Sequence, residues 1–145
     1  MLGQRSRATS GGADRTGLIA NAGVRCGRVN ATLSQAIFDF GPQIRYVACG
    51  EGQRVETAQR DGIADASDAS SDFFEELLVN PTLLTLARQR GELDCGGLRH
   101  MTVAYGNFNQ VVVPAPWGHV SVCVERDADP EVVAREVALL IEQTQ

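Results

Sequence analysis

The chain contains 145 residues, of which 43% are hydrophobic and 21% are charged, a composition typical of one soluble globular domain. No apolar stretch approaches the roughly 20 residues that a membrane-spanning helix requires, so the sequence argues against a membrane protein. All 13 basic residues are arginine, which excludes every mechanism that depends on a lysine.

Charge is distributed unevenly along the chain. Residues 1–28 contain five arginines and one aspartate, for a net charge of +4, whereas residues 29–145 carry a net charge of −9. The first segment is rich in Gly, Ser and Arg and lacks helical or strand periodicity, so we expect residues 1–29 to form a flexible basic arm. Residues 30–145 are expected to form a single acidic domain, and that acidity disfavours nucleic-acid binding.

Neither the first residues nor the cysteines indicate secretion. The apolar stretch at 17–20 is too short for the core of a signal peptide. Cys26, Cys49, Cys95 and Cys123 are separated by at least 23 residues, so we expect reduced thiols and a cytoplasmic protein. The same spacing argues against zinc, whose structural ligands come in pairs about two to four residues apart, and we expect no metal or other cofactor.

Hydrophobic periodicity predicts a helix and a hairpin after the arm. Asn30 or Thr32 can cap the first helix, which a glycine–proline pair ends. β-branched and aromatic residues predict a strand at residues 43–49, and a second, more polar strand at 53–60 follows a glycine-containing turn. Residues 61–70 are polar and predict a loop.

The middle of the chain predicts a helix that is apolar on more than one face. Ser71 or Asp72 can cap it. Pro81 is expected either to break or kink it after Val79, or to lie in the first turn of a second helical segment that Asn80 and Pro81 open. A helix of this kind is either deeply buried or packed against a partner, so we predict self-association. Its apolar residues are Phe73, Phe74, Leu77, Leu78, Leu83, Leu84 and Leu86.

The last third of the chain predicts three strands in a meander and a closing helix. The strands cover residues 98–105, 108–115 and 119–125. An aspartate-rich step at 127–129 followed by Pro130 predicts the start of an amphipathic helix. The order α-β-β-α-β-β-β-α with hairpin-length links predicts an α+β fold, a five-stranded antiparallel sheet with helices on its faces.

His119, Ser121 and Cys123 alternate along the last strand and therefore share one face. Neighbours at i and i+2 on a strand are about 7 Å apart, too far for a direct hydrogen bond between a nucleophile and a base. The pattern favours a structural role, with His119 exposed at the start of the strand and the two smaller side chains under a helix. A hydrolase that uses Ser121 or Cys95 with His100 or His119 is a minor alternative, and we predict no enzymatic activity.

Trp117 occupies a turn between two predicted strands. It is either an exposed aromatic anchor for a partner or, as we favour, a ring that folds back over the sheet. The surroundings of Cys95, beside Asp94 near a helix end, disfavour a thiolate. Neither residue therefore defines a reactive site.

Three features of the last third resemble a known family. They are the valine run at 111–113, the alternating strand from His119 to Val124, and the aspartate-rich step into an amphipathic helix. Together with the preceding helix–hairpin–helix, they resemble the roadblock / dynein light chain family, whose bacterial members work with small Ras-like GTPases. The resemblance extends over residues 31–143 in element order and lengths, and Pro81 departs from the uninterrupted middle helix expected of that family.

The resemblance implies a non-enzymatic homodimer that serves as a platform for a small GTPase. It implies the sheet order second, first, fifth, fourth, third strand, which places Cys49 and Cys123 on adjacent strands. A small-ligand sensory domain of the profilin-like type is the alternative, because such domains use similar strand–helix orders. In the homodimer, the third strand and the middle helix would pair with their copies through Phe73, Phe74, Leu77, Leu78, Leu84, Arg99, Met101, Val103 and Tyr105.

Overall fold

A computed structural model describes residues 30–145, and the predicted basic arm at 1–29, with Cys26, lies outside the described residues. None of the helices in residues 30–145 combines the length and the hydrophobicity needed to cross a membrane. The elements in chain order are α1 (residues 30–38), β1 (Ile44–Glu51), β2 (Arg54–Gln59), α2 (Ala69–Phe74), a π-helical turn (Glu75–Val79), α3 (Asn80–Asp94), β3 (Met101–Ala104), β4 (Asn109–Ala115), β5 (Gly118–Val124) and α4 (Pro130–Gln143).

The five strands form one antiparallel sheet in the order β2-β1-β5-β4-β3. This confirms the predicted α+β class and the sheet order that the resemblance implied. β5 lies at the centre, where Val122 pairs with Val47 of β1 and with Val111 of β4. β2 and β3 form the two edges of the sheet.

Helices α1 and α4 cover one face of this sheet. β-branched residues at alternate positions of the central strands point toward these helices, as the predicted strand periodicity requires. The apolar side chains of the two helices and of this sheet face form one core, which includes Leu33, Ile37, Val47, Cys49, Val111, Val113, Val120, Val122, Val124, Val133, Val137 and Ile141.

The cysteines and Trp117 take structural positions. Cys49 lies in the core beneath α1 and α4, whereas Cys123 lies on the opposite sheet face beside Tyr46. The two cysteines are therefore on adjacent strands, as implied, but do not face each other. Trp117 is half-buried and packs against the core, whereas Cys95 is exposed at the end of α3.

A β-bulge at Arg45 ties β1 to the loop before α2. The register of β1 against β5 shifts there, which places Ile44 in the core beneath α1 and α4. The buried Arg45 side chain donates to Glu125 at 3.0 Å and to the carbonyl of Ala64 at 2.7 Å. Its guanidinium also lies 5.5 Å from the centre of the Phe108 ring, within range of a cation–π interaction.

The predicted cap of α4 is confirmed, whereas the predicted cap of α2 is wrong. Asp129 caps α4 as predicted, because its side chain accepts from the N–H groups of the first turn. Helix α2 begins earlier than expected, since Asp68 accepts from the N–H of Ser70 at 2.8 Å. Ser71 and Asp72 therefore lie inside the helix. Thr32 likewise lies within α1 and does not cap it.

Strand β3 is shorter than predicted. The chain turns sharply after α3, where Gly96 and Gly97 adopt positive φ angles and the N–H of Gly97 donates to the carbonyl of Gly91 at 3.0 Å. The chain leaves this turn only gradually, and its pairing with β4 begins at Met101, three residues later than predicted.

Pro81 does not break the helical run, contrary to one of the two predictions, but α3 begins at Asn80 with Pro81 in its first turn, as the other predicts. α2, the π-helical turn and α3 follow one another without interruption, and the N–H of Asn80 donates to the carbonyl of Glu75, five residues earlier. A proline cannot donate, and its ring crowds the carbonyl four residues before it. The wider turn directly before Pro81 makes room for that ring. Residues 69–94 are called the middle helix below.

Candidate interaction surface

The middle helix lies on the sheet face opposite α1 and α4, with a largely polar side turned inward. Its buried residues are Glu76, Asn80, Leu84 and Gly91. Outward-facing Phe74 and Leu78, by contrast, are 58% and 56% exposed. A helix of a soluble protein normally turns its apolar side to the core. Because this helix turns its polar side inward and its apolar side outward, we call it inverted. Its exposed large apolar residues are Phe73, Phe74, Leu78, Leu83, Leu86 and Leu93.

A network of buried polar side chains holds the middle helix to the sheet. Glu76 is 1% exposed, and its Oε2 lies 2.7 Å from Nε2 of His119 on β5. The same carboxylate accepts from Nδ2 of Asn80 at 3.2 Å and from the hydroxyl of Tyr46 at 3.5 Å. Burial, together with the nearby Glu76 carboxylate, raises the pKa of Tyr46. Buried polar groups require partners, and here the partners come from both the helix and the sheet.

A second set of contacts joins β4 and the end of β3 to the same helix. In the orientation that satisfies both ends of the Gln110 amide, its oxygen accepts from Ser121 Oγ at 2.6 Å and its nitrogen donates to Glu75. The Tyr105 hydroxyl donates to the Glu75 carboxylate at 2.7 Å. Burial raises the pKa of Glu75, and burial together with the hydrogen bond to Glu75 raises the pKa of Tyr105 to about 12.

His119, Ser121 and Cys123 share one sheet face, as predicted, but the expectation for His119 is wrong. His119 is only 4% exposed, because it lies beneath the middle helix and is paired with Glu76. Ser121 hydrogen-bonds to the Gln110 amide instead of an imidazole. Burial raises the pKa of Cys123, which disfavours its thiolate. His119 therefore contacts the middle helix directly, and Ser121 is joined to it through Gln110.

The remaining candidate ligands and nucleophiles have separate partners. His100 lies 3.0 Å from Glu131 of α4, and the thiol of Cys95 lies 3.3 Å from Asp94. Within residues 30–145, no group of three or more His, Cys, Asp or Glu side chains is arranged to hold a metal ion.

The burial of Glu76, Asn80 and Gln110 was not predicted from the sequence. Apolar periodicity is the usual signal for the buried side of a helix, and here it marks the exposed side. Two features of the sequence could have indicated that these residues are buried. Glu76, Asn80 and Leu84 recur every four residues and so form one stripe, and β5 carries polar residues at alternate positions.

Of the exposed large apolar residues of the middle helix, Phe73, Phe74 and Leu78 line two depressions. One, of about 980 Å³, lies between α2 and the β1–β2 turn, and the other, of about 390 Å³, lies between the helix and the β3–β4 turn. Phe74 lines both depressions, so they form a continuous surface. We call this the apolar surface, and it comprises Phe73, Phe74, Leu77, Leu78, Tyr105 and Phe108.

The structure places the predicted interface residues in three environments. Leu84 is buried against the sheet and is not available to a partner. Leu77 is half-buried on the helix, and Met101 and Val103 are half-buried at alternate positions of the edge strand β3. The exposed members of the set are Phe73, Phe74, Leu78, Arg99 and Tyr105.

Acidic residues adjoin the apolar surface in sequence and at its margin. Residues 61–87 contain six acidic residues and no arginine. Asp61, Asp65 and Asp68 are exposed in the segment that leads into α2, and Glu75 lies beside Tyr105. A partner that covers this region would therefore need basic groups next to apolar ones.

The sheet order, the paired helices on one face and the middle helix on the other define a roadblock-like α+β domain. The structure is similar to the Roadblock/LC7 domain from Streptomyces avermitilis, with a TM-score of 0.59 and 18% identity, covering 75% of this chain and 88% of that one. It is also similar to MglC from Myxococcus xanthus, with a TM-score of 0.50 and 16% identity, covering 80% and 96% of the two chains.

A third similar structure is the gliding protein MglB from Thermus thermophilus, with a TM-score of 0.56 and 9% identity, covering 83% of this chain and 87% of that one. No protein-family model and no curated protein sequence matches the chain. At these identities the structural comparisons establish the roadblock fold.

Proposed function

We propose that this protein is a cytoplasmic, non-enzymatic regulatory scaffold that acts as a homodimer and binds a small Ras-like GTPase. The observation that carries this proposal is the inverted middle helix. Its polar residues are used to hold the helix to the sheet, and its phenylalanines and leucines are left on the outside. An exposed apolar area of this kind marks a protein–protein contact.

A second copy of the chain is the occupant that best fits the apolar surface. A two-fold axis brings the same surface from both copies together, so each exposed ring meets an apolar partner. Strand β3 lies at the sheet edge, and Tyr105, directly after it, belongs to the apolar surface. Unpaired backbone groups on an edge strand can be satisfied by the same strand of a second copy. One contact between two copies would therefore cover both the apolar surface and the edge strand β3.

The GTPase partner is supported by the roadblock resemblance of the sequence and by the roadblock fold of the structure. The acidic segment that leads into α2 adds a chemical requirement. The docking surface of the GTPase would carry basic residues, whose attraction to the acidic segment speeds association and disfavours acidic competitors.

The homodimer is tested by size-exclusion chromatography with multi-angle light scattering. The expected mass at micromolar concentration is twice the 15.5 kDa of one chain. A mass of one chain across the micromolar range would contradict the homodimer.

The GTPase partner is tested by binding. Small Ras-like GTPases encoded in the same genome are loaded with GDP or with a non-hydrolysable GTP analogue and passed over the immobilised protein. We expect one of them to be retained in a nucleotide-dependent way and to change its rate of GTP hydrolysis on binding. If none is retained in either nucleotide state, the GTPase part of the proposal is wrong.

The sensory-domain alternative requires a ligand cavity between the sheet and the middle helix. That space is occupied by the contacts of Glu76 with Asn80 and His119 and by the contact of Gln110 with Glu75. The two large depressions open instead on the outside of the helix. The interior packing therefore favours a scaffold over a sensor of large ligands.

A further inference from the structure

A small cleft lies at the edge of the middle helix and adjoins the larger depression at Gly52, but none of the apolar surface residues lines it. It has a volume of about 180 Å³ and is formed where α3 approaches the end of β1 and the start of β5. Its lining includes Gly50, Thr85, Arg88, Gly118 and His119. At roughly 30 Å³ per water molecule, this volume suits a molecule of a few heavy atoms.

Glycines keep side chains out of this region. A Cβ on Gly50 would run into the imidazole of His119, and a Cβ on Gly118 would overlap the carbonyl of Gly50. The imidazole of His119 therefore lies directly against the backbone of Gly50. The two glycines allow β1, β5 and the imidazole to approach closely while the cleft stays open.

Two groups at the cleft have unused hydrogen-bonding capacity. His119 uses Nε2 for Glu76, and its Nδ1 has no hydrogen-bond partner within the described residues, although the residue is 4% exposed. Arg88 is exposed and forms no ion pair with any described residue. The hydroxyl of Thr85 already donates to the carbonyl of Pro81. The groups available to bind an anion are therefore those of His119 and Arg88.

We propose that this cleft binds a small oxyanion, a carboxylate or a phosphate, between the guanidinium of Arg88 and Nδ1 of His119. Because the Glu76 carboxylate accepts from Nε2, a hydrogen bond from Nδ1 to the anion requires the ring form in which both nitrogens carry protons. One oxygen of the anion accepts from Nδ1 and another from Arg88, and both are charge-assisted hydrogen bonds. The site does not depend on the proposed homodimer.

The test is an NMR titration of the ¹⁵N-histidine-labelled full chain. Sodium acetate, sodium phosphate and N-acetylglutamate amide are compared with sodium chloride at equal ionic strength. We expect saturable binding, with Nδ1 of His119 moving to the shift of a protonated nitrogen. Saturation by acetate or phosphate identifies a free small anion, whereas saturation by N-acetylglutamate amide alone identifies a carboxylate side chain of a protein. Equal responses to all four salts would overturn the site.

Variants separate binding from folding, because replacing buried His119 itself would disturb the contact with Glu76. Arg88→Gln should weaken binding roughly tenfold or more, as loss of one charge-assisted hydrogen bond predicts. Thr85→Phe should abolish binding by filling the cleft. Arg135→Gln, an exposed arginine of α4, is the matched control and should leave the affinity unchanged. Unchanged affinity in both Arg88→Gln and Thr85→Phe would contradict the proposal.

Discussion

The Glu76 carboxylate lies 2.7 Å from Nε2 of His119, and both side chains are almost fully buried between the middle helix and the sheet. Glu76 comes from the π-helical turn and His119 from the central strand β5. This contact therefore fixes the rotation of the helix about its axis. With Glu76 turned inward, Phe74 and Leu78 must face outward, since residues two positions apart in a helix lie on nearly opposite sides of it.

Removal of the Glu76 carboxylate should destabilise the protein strongly. Glu76→Ala leaves His119, Asn80 and Tyr46 without their shared acceptor, and breaking a buried pair of this kind typically costs about 3–5 kcal/mol. The measurement is the free energy of unfolding in urea. The control is Glu142→Ala, an exposed position of α4 that should change stability by less than about 0.5 kcal/mol. Similar stabilities for the two variants would show that the contact does not hold the helix.

A charge on the apolar surface should weaken self-association. Leu78→Glu places a carboxylate where the proposed dimer buries a leucine, and we expect the dissociation constant of the dimer to rise roughly thirtyfold or more. Analytical ultracentrifugation measures this constant. Leu139→Glu introduces the same change at a similarly exposed leucine of α4 and should leave the constant unchanged. Equal weakening by both variants would place the interface elsewhere.

Glu75 should make stability fall as the pH rises. Burial raises its pKa in the folded state above the ordinary 4.5, so the folded state binds more protons than the unfolded state between these two values. The stabilising contribution is complete below the ordinary pKa and is lost as the pH rises through the folded pKa. Glu75→Gln removes this titration. The variant should therefore gain stability relative to the wild type as the pH rises above the ordinary pKa of a glutamate.

Urea unfolding at several pH values measures this difference. Glu142→Gln, at an exposed position of α4, should show no such trend. A difference that stays constant, or that increasingly favours the wild type as the pH rises, would contradict a raised pKa for Glu75.

Gly118 should tolerate no side chain. A Cβ at this position would overlap the carbonyl of Gly50 in the neighbouring strand, and relief requires the two strands to move apart. We expect Gly118→Ala to lower the free energy of unfolding by about 1–3 kcal/mol. Gly106→Ala, in the turn after β3 where a Cβ would meet open space, should be nearly neutral. Thermal unfolding of both variants measures the contrast, and equal melting temperatures would refute the close approach.

Local signals in the chain determined much of the fold. The valine alternation predicted the central strands, and the step from Asp129 to Pro130 predicted the cap of α4. These signals are reliable because they depend on residues within one element. The predicted break after Val79 did not occur because sequence rules describe an α-helix, whereas a π-helical turn before the proline accommodates its ring.

The sequence by itself determined that the middle helix carries more apolar surface than one small domain can bury. Only the tertiary structure decided which side of that helix faces the sheet. Helical periodicity records the spacing of apolar residues, but the free energy of burying Glu76 depends on Tyr46, Asn80 and His119, which surround it only in the fold. Because those partners satisfy the carboxylate, the polar stripe packs inward and the apolar residues remain exposed.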